Sequence, residues 1–246
     1  MDKQLFGEFM GTLVLVLLGN GTVANVLLGK TKGQSLSQGS GWMVIITGYF
    51  LAVMAGVAVA QACGSPGAHI NPAVTLAVAI VKSDFSNLAG FWIAQLLGGI
   101  AGAIVVWLHF LPHWPVTPDP GLKLACFSTG PAIRNTGANL ISEIIGTFLL
   151  FLIIAATLSK AVAGGGVAPG MAPYLVGAVV WAIGAGLGGT TGFAINPARD
   201  LGPRIAHAIL PIPGKGDSDW GYAMVPVIGG LVGGGLAGVF VKMVGF

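Results

Sequence analysis

Six stretches of the chain are mostly apolar and about 20 residues long, enough to cross the ~30 Å hydrocarbon core of a bilayer as helices. They are residues 6–28, 42–62, 88–109, 138–158, 172–189 and 222–244. Only 8% of the 246 residues are charged, whereas a soluble domain carries roughly 25%. Because so few charges cannot cover a water-facing surface, the sequence predicts an all-α membrane protein with six transmembrane helices.

Composition also excludes several functions. The net charge of +3 is spread along the chain without a basic run, so we expect no nucleic-acid partner and no polybasic lipid switch. The first apolar stretch is too long for a signal-peptide core and lacks a small-residue cleavage site, so we expect it to be retained. Cys63 and Cys126 are predicted to be unpaired thiols.

Two further apolar stretches, residues 71–81 and 196–209, are too short to span the membrane. Ten helical residues rise only about 15 Å, half the thickness of the hydrocarbon core. Each stretch begins with Asn-Pro-Ala, at Asn71-Pro72-Ala73 and at Asn196-Pro197-Ala198. The sequence therefore predicts two half-helices that together cross the membrane end to end.

The order span, span, half-helix, span occurs twice, and the first and fourth spans begin alike, around Glu8 and Glu143. Because each copy crosses the membrane three times, the second copy must be inserted upside down. Inverted repeats with broken helices are typical of solute pathways. We expect one channel domain over residues 1–246, with repeats at 1–111 and 138–246 joined by a water-exposed loop at 112–137. The Gly- and Pro-rich segment 161–173 is expected to be mobile.

The Asn-Pro-Ala sequence suits a helix that begins inside a membrane. The Asn oxygen accepts from free backbone N–H groups, and Pro at the first helical position has no N–H to leave unpaired. With the oxygens of Asn71 and Asn196 used in this way, we expect their amide N–H groups to stay free to donate to a passing solute oxygen. Ordinary helix capping is the alternative for one copy, but two copies at matching half-helices favour a pore.

Arg199 follows the second motif directly, and a cation on a membrane half-helix must face water or a partner. We expect it to line a narrow aqueous pore, where it donates to solute oxygens and repels cations and hydronium. The positive ends of both half-helices add to this repulsion. Asp200 either contacts solute or holds a loop or Arg204.

Glu8 and Glu143 are carboxylates at matching positions, so either a proton relay or a structural brace is possible. Their symmetry favours bracing of the non-helical loops before each Asn-Pro-Ala, whose backbone groups need partners at membrane depth. His69 contacts either the pore or only its own loop. No nucleophile pair or metal cluster is evident, so we expect neither an enzyme nor a metal site.

These motifs resemble the major intrinsic protein family, the aquaporins and aquaglyceroporins, over nearly the whole chain. The resemblance rests on the segments 69–74 and 192–200, with further matches at residues 94–99 and 225–229. It implies an aquaporin-like fold, a homotetramer with one pore per subunit, cytoplasmic termini, residence in the plasma membrane, and no cofactor. Asp200 directly after Arg199 is similar to the glycerol-conducting branch.

That branch has a four-position filter. The resemblance implies Arg199 at the arginine position, Phe193 at the aromatic position and Gly184 at the small position. The fourth position usually holds Trp on the second helix, whereas here an ungapped count from Asn71 reaches Leu51 and a gapped alignment reaches Tyr49. We favour Tyr49, and since Leu51 lies about 200° around a helix from it, only one of them can face the pore.

The predicted function is thus a passive channel for small uncharged polar solutes: glycerol and related polyols, water, and protonated small organic acids. Because Tyr49 stands where that branch usually has Trp, the sequence does not predict a strict preference for glycerol over larger neutral solutes. A secondary transporter is the main alternative and would need an intramembrane acid or Na⁺ site in the pathway. An intramembrane enzyme and a non-conducting structural member of the family are the others.

Overall fold

The computed structural model describes residues 2–36 and 40–245, and within these ranges the chain is helical with no β-strand. The helices, in chain order, are α1 Lys3–Leu27, α2 Lys32–Leu36, α3 Gly41–Ala62, α4 Pro72–Lys82, α5 Leu88–His109, α6 Pro120–Ala125, α7 Thr136–Leu158, α8 Lys160–Ala163, α9 Met171–Leu187, α10 Pro197–Ile209 and α11 Trp220–Val244. A short 3₁₀ helix, Leu111–His113, follows α5. The predicted order of spans and half-helices is present in both halves of the chain.

Five of the described helices are long and apolar enough to cross a membrane: α1, α3, α5, α7 and α11. The remaining predicted span, residues 172–189, corresponds to α9, which has 17 residues. At 1.5 Å per residue it rises about 25 Å, slightly less than the hydrocarbon thickness. The half-helices α4 and α10 have 11 and 13 residues and so reach only part of the way across.

Each half-helix packs against a long helix from the other half of the chain. Helix α4 packs against α11, and α10 packs against α5. Glycines permit this contact, since a Cβ at Gly234 would lie 2.6 Å from the carbonyl oxygen of Ala73, and one at Gly99 would lie 2.6 Å from that of Ala198. The third residue of each Asn-Pro-Ala therefore rests on a glycine of the opposite half, as expected for close helix packing in lipid.

The segment 112–137 is not simply the water-exposed loop that its Pro and charged residues predict. It folds back into the protein through α6, and Trp114, Lys123 and Phe127 are buried. Lys123 donates to the carbonyl oxygens of Pro213 and Gly214, which explains how a cation lies inside. Residues 132–137 are exposed as predicted, whereas the burial of residues 126–129 was not predicted, because it depends on partners in distant parts of the chain.

The two cysteines, Cys63 and Cys126, are both free, as predicted. Cys126 is buried, and its Sγ donates to the carbonyl oxygen of Leu122 at 3.1 Å. Burial raises the pKa of the Cys126 thiol well above its usual range, so it stays protonated. The thiol therefore acts as a small packing group.

Candidate functional site: a passage between two half-helices

The two Asn-Pro-Ala motifs begin α4 and α10 as helix caps. The Asn71 side-chain oxygen accepts from the N–H of Ala73 at 2.9 Å. The Asn196 oxygen accepts from Ala198 at 3.0 Å and from Arg199 at 3.2 Å. With Pro72 and Pro197 at the first helical positions and an Asn oxygen as acceptor, each helix start has an internal partner for its first N–H groups, which suits a start inside a membrane.

The Asn amide groups differ from the expectation that they stay free. Asn71 Nδ2 donates to the carbonyl oxygen of Ile195 at 2.8 Å, and Asn196 Nδ2 donates to that of Ile70 at 2.9 Å. Because an amide nitrogen carries two hydrogens, each Asn uses one N–H to join the two loops and has a second N–H that this bond does not use. These two hydrogen bonds were not predicted because their acceptors lie about 125 residues away in the chain.

The loops before the two motifs share one strained backbone conformation. Ala68 and Ile70 have φ of 41° and 44°, and Phe193 and Ile195, at the matching positions, have 39° and 41°. These left-handed conformations cost about 1–3 kcal/mol each for non-glycine residues and persist only where the surroundings enforce them. The matching strain indicates that both loops are held in a specific shape.

Glu8 enforces that shape in the first loop. Its carboxylate is fully buried and accepts from the N–H groups of His69 at 2.8 Å and Ile70 at 2.7 Å. The side chains of Ser65 and Gln95 donate to it at 2.7 and 2.8 Å. Four donors leave the carboxylate fully engaged, which is the arrangement that a brace requires.

Glu143 makes the matching contacts in the second loop. It accepts from the N–H of Ala194 at 3.1 Å and from that of Ile195 at 2.8 Å. It is also buried, with 1% of its surface exposed. The two carboxylates thus hold equivalent peptide groups in the two loops.

His69 packs against α4 and α5 and borders the passage. Its Nδ1 lies 3.2 Å from Thr75 Oγ1, and its ring packs edge-on against Phe91 at 5.3 Å. It also lines the central cavity. Of the two alternatives for His69, contact with only its own loop does not match this position, because the ring reaches α4, α5 and the cavity.

Three of the four predicted filter residues meet at one point. The rings of Tyr49 and Phe193 are 5.7 Å apart in an edge-to-face arrangement. The Arg199 guanidinium lies 4.7 Å from the centre of the Tyr49 ring and donates to the Tyr49 hydroxyl. Leu51, by contrast, is 46% exposed on the outer surface of α3. The structure therefore places Tyr49 beside the other two, and Leu51 away from them.

Gly184, the predicted small position, lies directly behind Phe193. A Cβ on Gly184 would lie 3.0 Å from Phe193 Cζ and 2.9 Å from Ile46 Cγ2. Gly184 does not itself line the cavity. Its lack of a side chain instead leaves room for the Phe193 ring.

Arg199 has two oxygen partners among the described residues and no carboxylate within ion-pair distance there. Besides the Tyr49 hydroxyl, it donates to the carbonyl oxygen of Phe127 at 3.4 Å. It keeps its remaining N–H groups and its positive charge beside the passage, because a guanidinium has five donors.

Asp200 does not line the cavity. It is fully buried, pairs with Arg204 at 2.9 Å, and accepts from the N–H and hydroxyl of Thr129 at 2.7 and 2.6 Å. Of the two roles left open for Asp200, the geometry matches the structural one. It fixes the loop around Thr129 to the helix that carries Arg199.

Sequence reasoning missed three neighbours of this cluster: Asn20, Trp42 and the carbonyl group of Phe127. Asn20 accepts from the Tyr49 hydroxyl at 2.7 Å and donates to the Phe127 carbonyl oxygen at 2.7 Å. Trp42 packs edge-on against Phe193 at 5.7 Å. A lone Asn in the middle of an apolar span was the available signal, since polar groups at membrane depth are usually functional.

A cavity of about 410 Å³ runs from this cluster past both asparagines. Tyr49, Val53, Val57 and Gln61 line it at intervals of four residues, so one face of α3 forms roughly 18 Å of its wall. Leu158 of α7 and Val167 of the segment 161–173 also line it. Most of the wall is apolar, and its polar groups include the two asparagines, Arg199, His69 and Gln61. The described residues contain no cluster of His, Cys, Asp or Glu suited to a metal ion.

A cavity that borders the starts of two membrane half-helices, with an arginine at its side, is typical of a pore-forming membrane protein. The profile of the family described as Major intrinsic protein matches residues 1–241, and the chain belongs to this family. The protein is thus an integral membrane channel of the aquaporin fold rather than an enzyme.

Relatives and a solved structure agree with this assignment. The chain is 52% identical over 228 residues to a probable glycerol uptake facilitator protein of Thermotoga maritima, covering 92% of this chain and 93% of the relative. It is 51% identical over 238 residues to the glycerol uptake facilitator protein of Bacillus subtilis, covering 96% and 82%. It is also similar to the X-ray structure of the aquaglyceroporin from Plasmodium falciparum, with a TM-score of 0.83, 27% identity and coverage of 98% and 96%.

Proposed function

We propose that this protein is a passive channel that conducts glycerol and similar small polyols, together with water, down their gradients. The observation that carries the proposal is the cavity that joins Arg199, Tyr49 and Phe193 to Asn71 and Asn196. One side of this passage is apolar and the other offers hydrogen-bond donors. Glycerol matches such a surface, because its carbons and its hydroxyls lie on different sides of the molecule.

Tyr49, Gly184, Phe193 and Arg199 form the selectivity filter in this proposal. The two aromatic rings provide the apolar wall, Gly184 sets the position of Phe193, and Arg199 donates to solute oxygens. The second N–H of each Asn donates to the solute at the middle of the passage. The names of the relatives in Thermotoga and Bacillus support glycerol as the principal solute. Protonated small organic acids fit the same chemistry.

Ions and protons are excluded by the same groups. The positive ends of α4 and α10 meet at the middle of the passage, and Arg199 adds a full positive charge beside it. Arg199 is buried with no carboxylate partner in the described parts of the chain, so its field is not neutralised locally. A cation or hydronium ion therefore meets a positive electrostatic potential at two places, beside Arg199 and at the starts of the two half-helices.

The structure argues against coupled transport. Among the described residues, those that line the cavity include no Asp or Glu. Glu8 and Glu143 are engaged by loop donors and lie outside the cavity, so neither is free to carry a proton along the path. A transporter would need such a group in the pathway.

We also propose an assembly and an orientation, on the basis of the family resemblance. The two halves of the chain, residues 1–111 and 138–246, are inserted in opposite directions, and both termini are cytoplasmic. Four copies associate in the plasma membrane, each with its own pore. Exposed apolar side chains such as Ile93, Met224 and Leu236 are available for contact with lipid and with neighbouring subunits.

The test is light scattering by proteoliposomes after a glycerol jump, with two matched tryptophan variants of α3. Val53 lines the cavity, whereas Leu51, two residues earlier, is exposed on the outer surface. We expect fast glycerol entry in the wild type, strong inhibition in Val53→Trp, and wild-type rates in Leu51→Trp. Equal rates in both variants, or inhibition by Leu51→Trp alone, would place the solute path elsewhere.

A further inference from the structure

We infer that Asn20 is a positioning residue of the filter that determines its specificity by fixing Tyr49 against Arg199. This inference rests on the proposed function. It begins from a closed ring of hydrogen bonds at the filter. Arg199 donates to the Tyr49 hydroxyl, and that hydroxyl donates to Asn20 Oδ1 at 2.7 Å. Asn20 Nδ2 and Arg199 both donate to the carbonyl oxygen of Phe127, at 2.7 and 3.4 Å.

The ring fixes the direction of the Tyr49 hydroxyl. A phenolic hydroxyl has one hydrogen to donate, and Asn20 Oδ1 takes it, which leaves the Tyr49 oxygen to accept from Arg199. Without Asn20, the hydroxyl hydrogen is free to turn towards the passage or towards Arg199, where it meets another donor. The hydrogen bond to Asn20 thus keeps the Tyr49 oxygen oriented as an acceptor for the Arg199 guanidinium.

The backbone of α1 supports the same arrangement. A Cβ on Gly19 would lie 2.4 Å from Tyr49 Cε1, so the Tyr49 ring rests directly on the glycine backbone. Gly19 and Asn20 are consecutive, and together they provide the space for the ring and the acceptor for its hydroxyl. Asn20 and Tyr49 are both buried, at 1% and 3% exposure, which makes an unpaired polar group there costly.

This arrangement has a consequence for the solute. The Tyr49 hydroxyl gives its one hydrogen to Asn20 and accepts from Arg199, so it has no hydrogen to donate to a passing molecule. The donors that a solute meets here are the unused N–H groups of Arg199, beside the rings of Tyr49 and Phe193. Loss of Asn20 releases the hydroxyl and lets the guanidinium move, so the width and the donor pattern of the filter both become less defined.

The experiment compares Asn20→Ala, Tyr49→Phe and the double variant in proteoliposomes, with Asn25→Ala as the control. Asn25 is an exposed residue on the same helix and is not among the residues that line the cavity. The measured quantity is the ratio of glycerol permeability to erythritol permeability, which is independent of the number of folded channels. Tyr49→Phe deletes a single oxygen, so it reports on the ring of hydrogen bonds even if Asn20→Ala fails to fold.

We expect each single variant to lower the ratio by about fivefold, the factor that corresponds to one hydrogen bond of ordinary net strength. Because Asn20 acts through the Tyr49 hydroxyl, the double variant should show the effect of one substitution rather than the product of two. Asn25→Ala should retain the wild-type ratio. Unchanged ratios in Asn20→Ala and Tyr49→Phe, or effects that multiply, would overturn the inference. Absence of glycerol flux in the wild type would instead overturn the proposed function.

Discussion

Gly184→Ala tests how the filter obtains its width. The added Cβ would lie 3.0 Å from Phe193 Cζ and 2.9 Å from Ile46 Cγ2, whereas carbon atoms pack at about 3.5–4.0 Å, so a neighbour must move by roughly 0.5–1 Å. Ile46 is fully buried, but Phe193 borders the cavity. We therefore expect the Phe193 ring to move into the passage.

Overpacking of this kind costs about 1–3 kcal/mol. If the strain is felt when glycerol occupies the filter, glycerol transit slows by roughly 5- to 150-fold, since each 1.4 kcal/mol is a factor of about ten. Water is smaller than glycerol, so its permeability should fall less. The assay is light scattering by proteoliposomes after glycerol and sucrose jumps, normalised to the amount of folded protein.

Gly186→Ala is the matched control. It lies on the same helix, but a Cβ there would have nothing within 4 Å. Both variants replace Gly by Ala in a helix, which favours the helix by about 1 kcal/mol, but the new methyl group of Gly186→Ala does not contact Phe193. Wild-type flux is expected. If Gly184→Ala conducts glycerol as fast as Gly186→Ala, the reasoning that Gly184 sets the filter width is refuted.

Three further predictions concern stability, each measured by thermal denaturation in detergent. Glu143→Gln replaces an acceptor facing the N–H groups of residues 194 and 195, and should cost about 1.5–3 kcal/mol; an unchanged midpoint would contradict bracing. Asp200→Asn leaves the buried Arg204 charge uncompensated and should cost about 3–5 kcal/mol; a loss under 1 kcal/mol would show the pair to be dispensable. Lys215→Met removes an ammonium group that donates at 2.7 Å to three carbonyl oxygens at the C-terminal end of α10. It should lower the free energy of unfolding by about 0.3–1 kcal/mol more than Lys160→Met, a control at an exposed residue. Equal melting midpoints in the two variants would show that Lys215 does not stabilise this helix end.

The helices and the two half-helix starts could be predicted because their causes are local. Span length follows from hydrocarbon thickness, and the start of a half-helix follows from Asn and Pro at adjacent positions. The roles of Asn71 and Asn196 as helix caps are evident from the three residues Asn-Pro-Ala alone. Their oxygens cap the helices as expected.

The rest depends on contacts between distant parts of the chain. Asn20 is linked to Tyr49, 29 residues away, and to Phe127, 107 residues away, so neither partner is visible from the sequence around it. The same holds for the amide groups of Asn71 and Asn196, each of which donates across the two halves. The sequence favours Tyr49 over Leu51 through a gapped alignment and through the aromatic residue expected at that position, whereas the structure separates the two by the face of α3 on which they lie.

The account depends most on the claim that solute moves down its own gradient without a coupled ion. The direct measurement is the steady-state concentration of labelled glycerol inside proteoliposomes, with and without an imposed proton gradient. We predict that internal and external concentrations become equal in both cases, and that the initial rate is the same. Accumulation above the external concentration, driven by the proton gradient, would contradict the account and identify a coupled transporter.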